Sequence, residues 1–584
     1  MFSNKENINI LTALLLEYGV SDAVVCPGSR NAPIVHNLSQ CTQIRCRPVT
    51  DERSAGFYAL GLALSTGRPT VVCVTSGTAL LNLAPAVAEA CYQHVPVIVV
   101  SADRPQQWID QLDGQTLPQA DALGRFVRKA VSLPEPHAGT PGTRLDEERW
   151  LCRRLASEAL HAATCRQPAP VHINVPVSEP LFGFGTAELP HVRHLHLTDK
   201  TSILCEQHQL FERFFSADRP MIVIGQMAAN LIMPETIMSL SKHFVVLAEP
   251  LSNPSYLTIH FDEAVRHIAA AGSQGSGDAG TPADGYTPDY IVYVGDTIVS
   301  KPTRRWLRQS KAPSCLITPD ALQLHDPLMT LEDIVECPTD DTDLLLSSFG
   351  DLYDNPDDYT DPGITAHEDS RRAYHALWSR LLDRCTCHAE TYAPAYSQMA
   401  AVRYFEQQLI DIDEPILVHY ANSTAIRLAC IYAAHYVWCN RGVNGIEGTL
   451  STAAGFSLAT DCKTVCVIGD LSFFYDQNAL WNTSLRGNLR IILLNNHGGG
   501  IFKQLPGLDG SQTADTMVAA AHNTTAQGIC TQNDIGYMSA RNMSEMQIGI
   551  VTLLTRDAER PMLLEVTTDA DADAKAMADY FASI

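Results

Sequence analysis

A chain of 584 residues with 41 lysines and arginines against 65 aspartates and glutamates carries a formal charge of −24, which excludes the broad basic face that nucleic acid or an anionic membrane surface requires. Hydrophobic residues make up 46% of it, enough for several buried cores, and the length predicts about three domains. Seventeen cysteines, scattered without a framework spacing, read as the reduced thiols of a cytoplasmic protein, and no run of about 18 apolar residues offers a membrane anchor.

The opening segment, MFSNKENINILTALLLEYG, has helical periodicity and no small-residue cleavage site, so a helix is expected rather than a signal peptide. A strand at Asp22–Cys26, the turn PGSRNAP, a helix and a short strand ending at Val49 follow. Asp51 then stands as the N-cap of a helix through DERSAGFYALGLALSTG. From Thr70 to Pro105 an apolar strand, a glycine, a helix and a second apolar strand form a βαβ unit with a polar stop at Asp103-Arg104. A further α/β pattern, PMIVIGQ, FVVLAEP and DYIVYVGD, runs from about Pro220 to Ile317 and is interrupted near Gly275 by a Gly-, Ser-, Ala- and Asp-rich loop expected to be a mobile surface insertion. An acidic stretch from about Pro338 to Asp369 has the composition of extended, solvated chain. These breaks divide the chain into residues 1–190, 200–345, a linker and helix over 346–390, and 391–584. Cys385-Thr386-Cys387-His388 has a metal flavour, but no second pair stands at zinc spacing.

The stretch from Thr464 to Phe502 repeats the plan of Thr70–Pro105, so the chain carries two copies of one α/β unit. Thr464–Ile468 and Leu489–Leu494 are uninterrupted apolar runs, as expected of parallel strands buried on both faces, with a helical run expected from about Asp476 to Leu485 between them. The first strand ends at Gly469-Asp470 and the second at Asn495-Asn496, so a right-handed crossover places Asp470 and Asn496 at one edge of the sheet. A carboxylate, an amide oxygen and a backbone carbonyl near Gly498 suit Mg²⁺, with Mn²⁺ as the alternative, and leave coordination room for a diphosphate. The glycines after Asn496 let backbone approach such a ligand closely. Taken one at a time, these dipeptides are also what ordinary βα turns contain.

Gly469-Asp470, the intervening segment and Asn495-Asn496 resemble the signature of the thiamine-diphosphate enzymes, which begins GD, usually GDG, and ends NN. Leu471 replaces the third-position glycine, and the wider pattern GDLS, YDQNAL and NNHGGGIF is similar to the 2-succinyl-5-enolpyruvyl-6-hydroxy-3-cyclohexene-1-carboxylate synthase family of menaquinone biosynthesis. The resemblance is strong over Val20–Gln115 and Val418–Pro506 and weak through the middle of the chain. It implies an α/β fold of three parallel-sheet domains, thiamine diphosphate with Mg²⁺, and a homodimer or homotetramer with active sites between subunits. It also implies the reaction: decarboxylation of 2-oxoglutarate and conjugate addition of the succinyl unit to isochorismate.

The same resemblance assigns roles residue by residue. Glu52, by position also a helix-dipole glutamate, would hydrogen-bond the cofactor's aminopyrimidine as the catalytic carboxylate. Gly469, Asp470, Leu471, Ser472, Asn496 and Gly499 would surround the diphosphate, with Asp470, Asn496 and Gly498 on the metal. Ile446 would wedge between the cofactor's rings, and Ile501, Phe502 and Leu505 would form an apolar wall by the reacting carbon. Arg30, Arg104, Arg427 and Arg441 all fall just beyond apolar strands or in the turns after them, the ligand edge of a parallel sheet, where guanidinium groups hold carboxylates in pairs of hydrogen bonds. By resemblance Ser423, Arg427 and Arg441 would hold the succinyl end derived from 2-oxoglutarate, while Ser29, Arg30, Arg104, Gln115 and Lys301 would face isochorismate. Gly114 and Pro302 depart from the family pattern, which has an asparagine and a second basic residue there. Two other readings fit parts of the pattern. Another thiamine-dependent 2-keto acid decarboxylase or carboligase would need no arginine cluster, and a non-catalytic cofactor-binding protein would have no use for Glu52.

Overall fold

The structure, a computed structural model, describes residues 1–137, 142–192, 208–255, 258–273, 283–321, 325–354, 367–504, 508 and 511–584. Three wholly parallel sheets organise these residues. Strands β1–β6 (Asp22–Val25, Arg45–Pro48, Thr70–Val74, Val97–Asp103, Lys129–Ser132, Val171–Pro176) lie in the order 2-1-3-4-6-5. Strands β7–β11 (Pro220–Ile224, Val245–Ala248, Tyr290–Val294, Ser314–Thr318, Leu331–Glu336) lie in the order 11-10-9-7-8. Strands β12–β16 (Ile416–Tyr420, Lys463–Gly469, Leu489–Asn495, Gly536–Ala540, Met562–Thr567) lie in the order 12-13-14-16-15.

The repeated unit has the same form in the first and third sheets. β3 and β4 are parallel neighbours, with Thr70 opposite Val97, and β13 and β14 are parallel neighbours, with Thr464 opposite Leu489. All four strands are buried almost throughout, which is why their sequences do not alternate.

The two sheets share one core, and its centre is a helix pair. The helix Glu52–Thr66 begins where expected, with Asp51 accepting the N–H groups of Arg53 and Ser54 at 2.9 and 3.4 Å. Its small residues let it approach the helix Thr449–Ser457 closely: a Cβ on Gly455 would lie 2.3 Å from the Tyr58 carbonyl oxygen. Asp51 and Arg53 also reach the third sheet's half, Asp51 accepting from Asn478 at 2.8 Å and Arg53 donating to the Tyr475 carbonyl at 2.9 Å.

Two expectations are corrected. The helix after β13 spans Asp470–Tyr475, not Asp476–Leu485, and a 3₁₀ turn, Gln477–Leu480, follows it. Asp476 caps nothing downstream, because its carboxylate accepts both the N–H and the hydroxyl of Ser451, each at 2.7 Å. The acidic stretch is not extended throughout: Thr342–Asp354 is a helix whose Leu345, Leu346 and Phe349 are buried in the core under the middle sheet, leaving its acids on the outer face. The end of the insertion near Gly275 is tied down, since the Tyr286 carbonyl accepts from Tyr374 and Trp378 at 3.1 and 3.2 Å; residues 274–282 of that insertion lie outside the described residues.

Candidate active site

Asp470 opens its helix at the end of β13 and is 3% exposed. One carboxylate oxygen accepts the Leu471 N–H at 2.7 Å, the other accepts the Gly498 N–H at 2.9 Å, and His522 Nε2 lies 3.3 Å from the second. Burial pushes this carboxyl up, against the backbone hydrogen bonds and the nearby histidine that pull it down. Asn496 closes β14, and its Nδ2 donates to Asp573 at 3.0 Å, which leaves the amide oxygen for another partner. Asp573 in turn accepts from Thr568 and from the Gln398 backbone, so it stands as a fixed support behind Asn496. The site therefore presents hard oxygen donors around a buried carboxylate, the chemistry that fits Mg²⁺. Gly498 is packed against Ala519, 3.0 Å from a would-be Cβ, and Gly499 is held by its own N–H to the Ala519 carbonyl at 2.7 Å with the Phe502 ring above it. Leu471 is half-buried, Ser472 is buried, and a Cβ on Gly469 would meet nothing within 4 Å, so open space adjoins the loop there.

A second group of expected residues lines one cavity of about 810 Å³ between the middle sheet, the helix Thr424–Tyr432 and the C-terminal helix Ala570–Ala582. Lys301, Pro302, Arg427, Ile501 and Phe502 line it, with Asp262, Glu263, Arg266 and Lys575 also on its walls. Lys301 and Pro302 form the first turn of the helix Lys301–Ser310, capped by Ser300, whose Oγ accepts the Thr303 N–H at 3.1 Å; Pro302 costs nothing there because a first-turn N–H has no helical partner. The wall carboxylates are already engaged: Asp262 with Arg266 and Ser300, Glu263 with His260 and Tyr580. Arg427 differs. It is half-buried and, among the described residues, makes no hydrogen bond or ion pair, while burial and the neighbouring Arg441 both push its pKa down. Ser423 precedes this helix with φ of 75°, and Arg441 donates to Asn422 Oδ1 at 3.1 Å while its buried Nε has no hydrogen-bond partner among the described residues. Ile446 is 44% exposed, an apolar side chain held out from its loop.

The remaining expected residues gather at the C-terminal edge of the first sheet. Arg30, 7% exposed, donates to the Val177 carbonyl at 2.8 Å, and burial together with Arg104 lowers its pKa. Arg104 reaches the Gly114 carbonyl at 3.4 Å and Asp113 at 3.5 Å. Ser29 is exposed; Gln115, at φ of 57°, passes its backbone 3.2 Å from a Cβ on Gly77. Glu52 is half-buried in the first turn of its helix, 3.5 Å from Asn82 Nδ2. Among the described residues no hydrogen bond or ion pair joins Glu52, Arg30 or Arg104 to the Asp470 or Arg427 groups. Leu505 lies outside the described residues.

Sequence reasoning missed Asp573, Glu249 and Glu89. Glu249 accepts the Val299 N–H and, at 2.9 Å, the Ser300 N–H just before Lys301; burial pushes it up to about 6. Glu89 was visible as the lone carboxylate in APAVAEACY, and Asp573 was hidden in a polar run.

Comparison with known proteins agrees with this geometry. A family model described as the N-terminal TPP binding domain of thiamine pyrophosphate enzymes matches residues 8–123, and one described as their C-terminal TPP binding domain matches residues 422–566. A solved structure assigned as a thiamin diphosphate-dependent enzyme from Mycobacterium smegmatis superimposes with a TM-score of 0.68 over 97% of this chain and 100% of that one at 15% identity, a likeness of fold. The chain is 39% identical to the 2-succinyl-5-enolpyruvyl-6-hydroxy-3-cyclohexene-1-carboxylate synthase of Bacteroides thetaiotaomicron over 100% of its own length and 99% of that protein's. It is 32% identical to the Porphyromonas gingivalis enzyme of the same name over 100% of this chain and 98% of that one. With full-length identity at this level, two thiamine-diphosphate domains and the matching fold, the chain belongs to the 2-succinyl-5-enolpyruvyl-6-hydroxy-3-cyclohexene-1-carboxylate synthase family.

Proposed function

We propose that this chain decarboxylates 2-oxoglutarate and adds the resulting succinyl unit to isochorismate, giving 2-succinyl-5-enolpyruvyl-6-hydroxy-3-cyclohexene-1-carboxylate. The observation that carries the substrate reading is Arg427, a half-buried cation with no hydrogen bond or ion pair among the described residues, lining with Ile501 and Phe502 a cavity of about 810 Å³. A desolvated guanidinium needs an anion, and a keto acid with a distal carboxylate supplies one. Thiamine diphosphate, when bound, supplies the electron sink for the carbanion that departing CO₂ leaves behind. Asp470, Asn496 and Gly498 would hold Mg²⁺ against its diphosphate, and Ile446 would pack against its rings. Glu52 would hold a proton at its carboxylate toward the pyrimidine. Ile501 and Phe502 exclude water from the place where carboxylate charge is lost. Ser423, Arg427 and Arg441 orient the succinyl end, while Ser29, Arg30, Arg104, Gln115 and Lys301 bind the second substrate.

The enzyme works as a homo-oligomer in this reading, dimer or tetramer, with the first sheet's residues of one subunit facing the third sheet's residues of another.

The deciding measurement is CO₂ release from 2-oxoglutarate with and without isochorismate, in the presence of thiamine diphosphate and Mg²⁺. Release that rises with isochorismate, with the adduct formed one for one, is expected. Release indifferent to isochorismate and shared equally by pyruvate would overturn the proposal.

A further inference from the structure

Glu89 lies in the helix Ala84–Tyr92 of the first sheet's half, yet its carboxylate serves the loop of the other half that carries Arg441 and Ile446. The side chain is buried, with the residue 3% exposed. Its Oε1 accepts the Gly442 N–H at 2.7 Å and its Oε2 accepts the Val443 N–H at 2.7 Å. Gln93, one helical turn on, donates to Oε1 at 2.6 Å and also reaches the Cys439 carbonyl at 3.4 Å. Among the described residues no backbone carbonyl accepts either the Gly442 or the Val443 N–H. The loop is also pressed against the helix, because a Cβ on Gly442 would stand 2.9 Å from Tyr92 Cβ and 3.0 Å from the Glu89 carbonyl oxygen.

From the other side Asn422 braces the same loop, its Nδ2 donating to the carbonyls of Asn440 and Gly445 at 2.5 and 2.8 Å and its Oδ1 accepting from Arg441 at 3.1 Å. Asn422 therefore fixes the guanidinium and the loop's ends, and Glu89 fixes the two peptide units that directly follow Arg441. Burying a carboxylate is costly unless its oxygens are hydrogen-bonded. This one is satisfied by three N–H donors, two of them from the loop. A glutamine could not do the same, since it offers one acceptor oxygen and would turn an NH₂ toward the second N–H.

We infer that Glu89 is a positioning residue for the substrate clamp: through the Gly442 and Val443 peptides it holds Arg441 in the place the reaction needs. The inference rests on Arg441 binding the distal carboxylate of 2-oxoglutarate, as proposed above. A misplacement of about 1 Å in a positioning group costs on the order of 10²-fold in rate.

The test is a double-mutant cycle of Glu89→Gln and Arg441→Ala, read as kcat/KM for 2-oxoglutarate and for 2-oxobutyrate, which lacks the second carboxylate. In the wild-type background Glu89→Gln is expected to lower kcat/KM for 2-oxoglutarate by roughly 10- to 100-fold, mostly through KM, and to cost 2-oxobutyrate much less. In the Arg441→Ala background the same change is expected to cost 2-oxoglutarate little more. Glu89→Asp, which keeps both acceptor oxygens, should fall between Gln and wild type and stands in if the Gln variant does not fold. Equal losses on both keto acids, or losses that add fully to those of Arg441→Ala, would overturn the inference; so would failure of both Glu89 variants to fold, which would make it a residue of the fold alone. If Arg441→Ala by itself shows no preference between the keto acids, the substrate reading fails. If Arg441→Ala discriminates and Glu89→Gln does not, only the role of Glu89 fails.

Discussion

A Cβ placed on Gly61 would stand 2.0 Å from the carbonyl oxygen of Thr452, so at this point the helix Glu52–Thr66 touches the helix Thr449–Ser457 backbone to backbone. The contact joins the half of the chain that carries Glu52 to the half that carries Asp470. Because the obstacle is a carbonyl within a helix, no side chain can rotate away to make room. Gly61→Ala should therefore destabilise the protein by about 1–3 kcal/mol or more, despite the better helix propensity of alanine. Urea unfolding of the two proteins checks this, and an unchanged midpoint would mean that the helices separate freely.

Glu52→Gln and Asp470→Ala should fail in different ways. The first leaves the diphosphate loop intact, so thiamine diphosphate should bind within about tenfold of wild type while turnover falls roughly 10²-fold or more, the scale of one acid–base group. The second removes the anionic ligand and should abolish Mg²⁺-dependent cofactor binding, seen directly in a calorimetric titration. Mixing the two inactive proteins under conditions of subunit exchange should restore part of the activity. Mixtures that stay inactive despite proven exchange would place the whole site within one chain.

Arg427→Ala should cost roughly 10- to 150-fold in kcat/KM for 2-oxoglutarate, since a hydrogen bond to a charged partner is worth about 1.5–3 kcal/mol. Pyruvate and 2-oxobutyrate should lose much less. Steady-state kinetics at one salt concentration separate the cases, and equal losses would assign Arg427 to the fold or the cofactor.

Asp476 supplies a pH-dependent term in stability. Its carboxyl is buried against Ser451, Tyr58 and Cys466, with Arg53 and Asp51 beyond, and burial pushes it from the ordinary 3.8 up to about 7. The folded state thus holds a proton that the unfolded chain has released, so the stability it contributes is complete below about pH 4 and is lost as pH rises through about 7, by at most about 4 kcal/mol. Asp476→Asn keeps the shape and cannot ionise. Its melting temperature should gain on wild type between about pH 4 and 7 and hold a constant advantage above that, and parallel profiles for the two proteins across about pH 4–7 would refute the assignment.

What the sequence determined by itself was whatever is local or periodic. Strands buried on both faces read as unbroken runs of Val, Ile and Leu, so β13 and β14 were legible to within a residue or two, and with them the placement of Asp470 and Asn496 at one sheet edge. The arginines were legible as candidates because the ends of parallel strands are where ligands sit. Tertiary structure decided the rest. Asn496 finds Asp573 across 77 residues and Gly442 finds Glu89 across 353, and such pairings leave no spacing in the chain. The helix after β13 starts at Asp470, and Asp476, where the helical run was expected to begin, instead accepts hydrogen bonds from Ser451 of another helix. The acidic segment holds a helix because three apolar side chains, Leu345, Leu346 and Phe349, meet a core that composition could not disclose. Whether Arg427 is a solvated surface cation or an unpaired one beside a cavity depends on what packs around it, and only the folded chain supplies that.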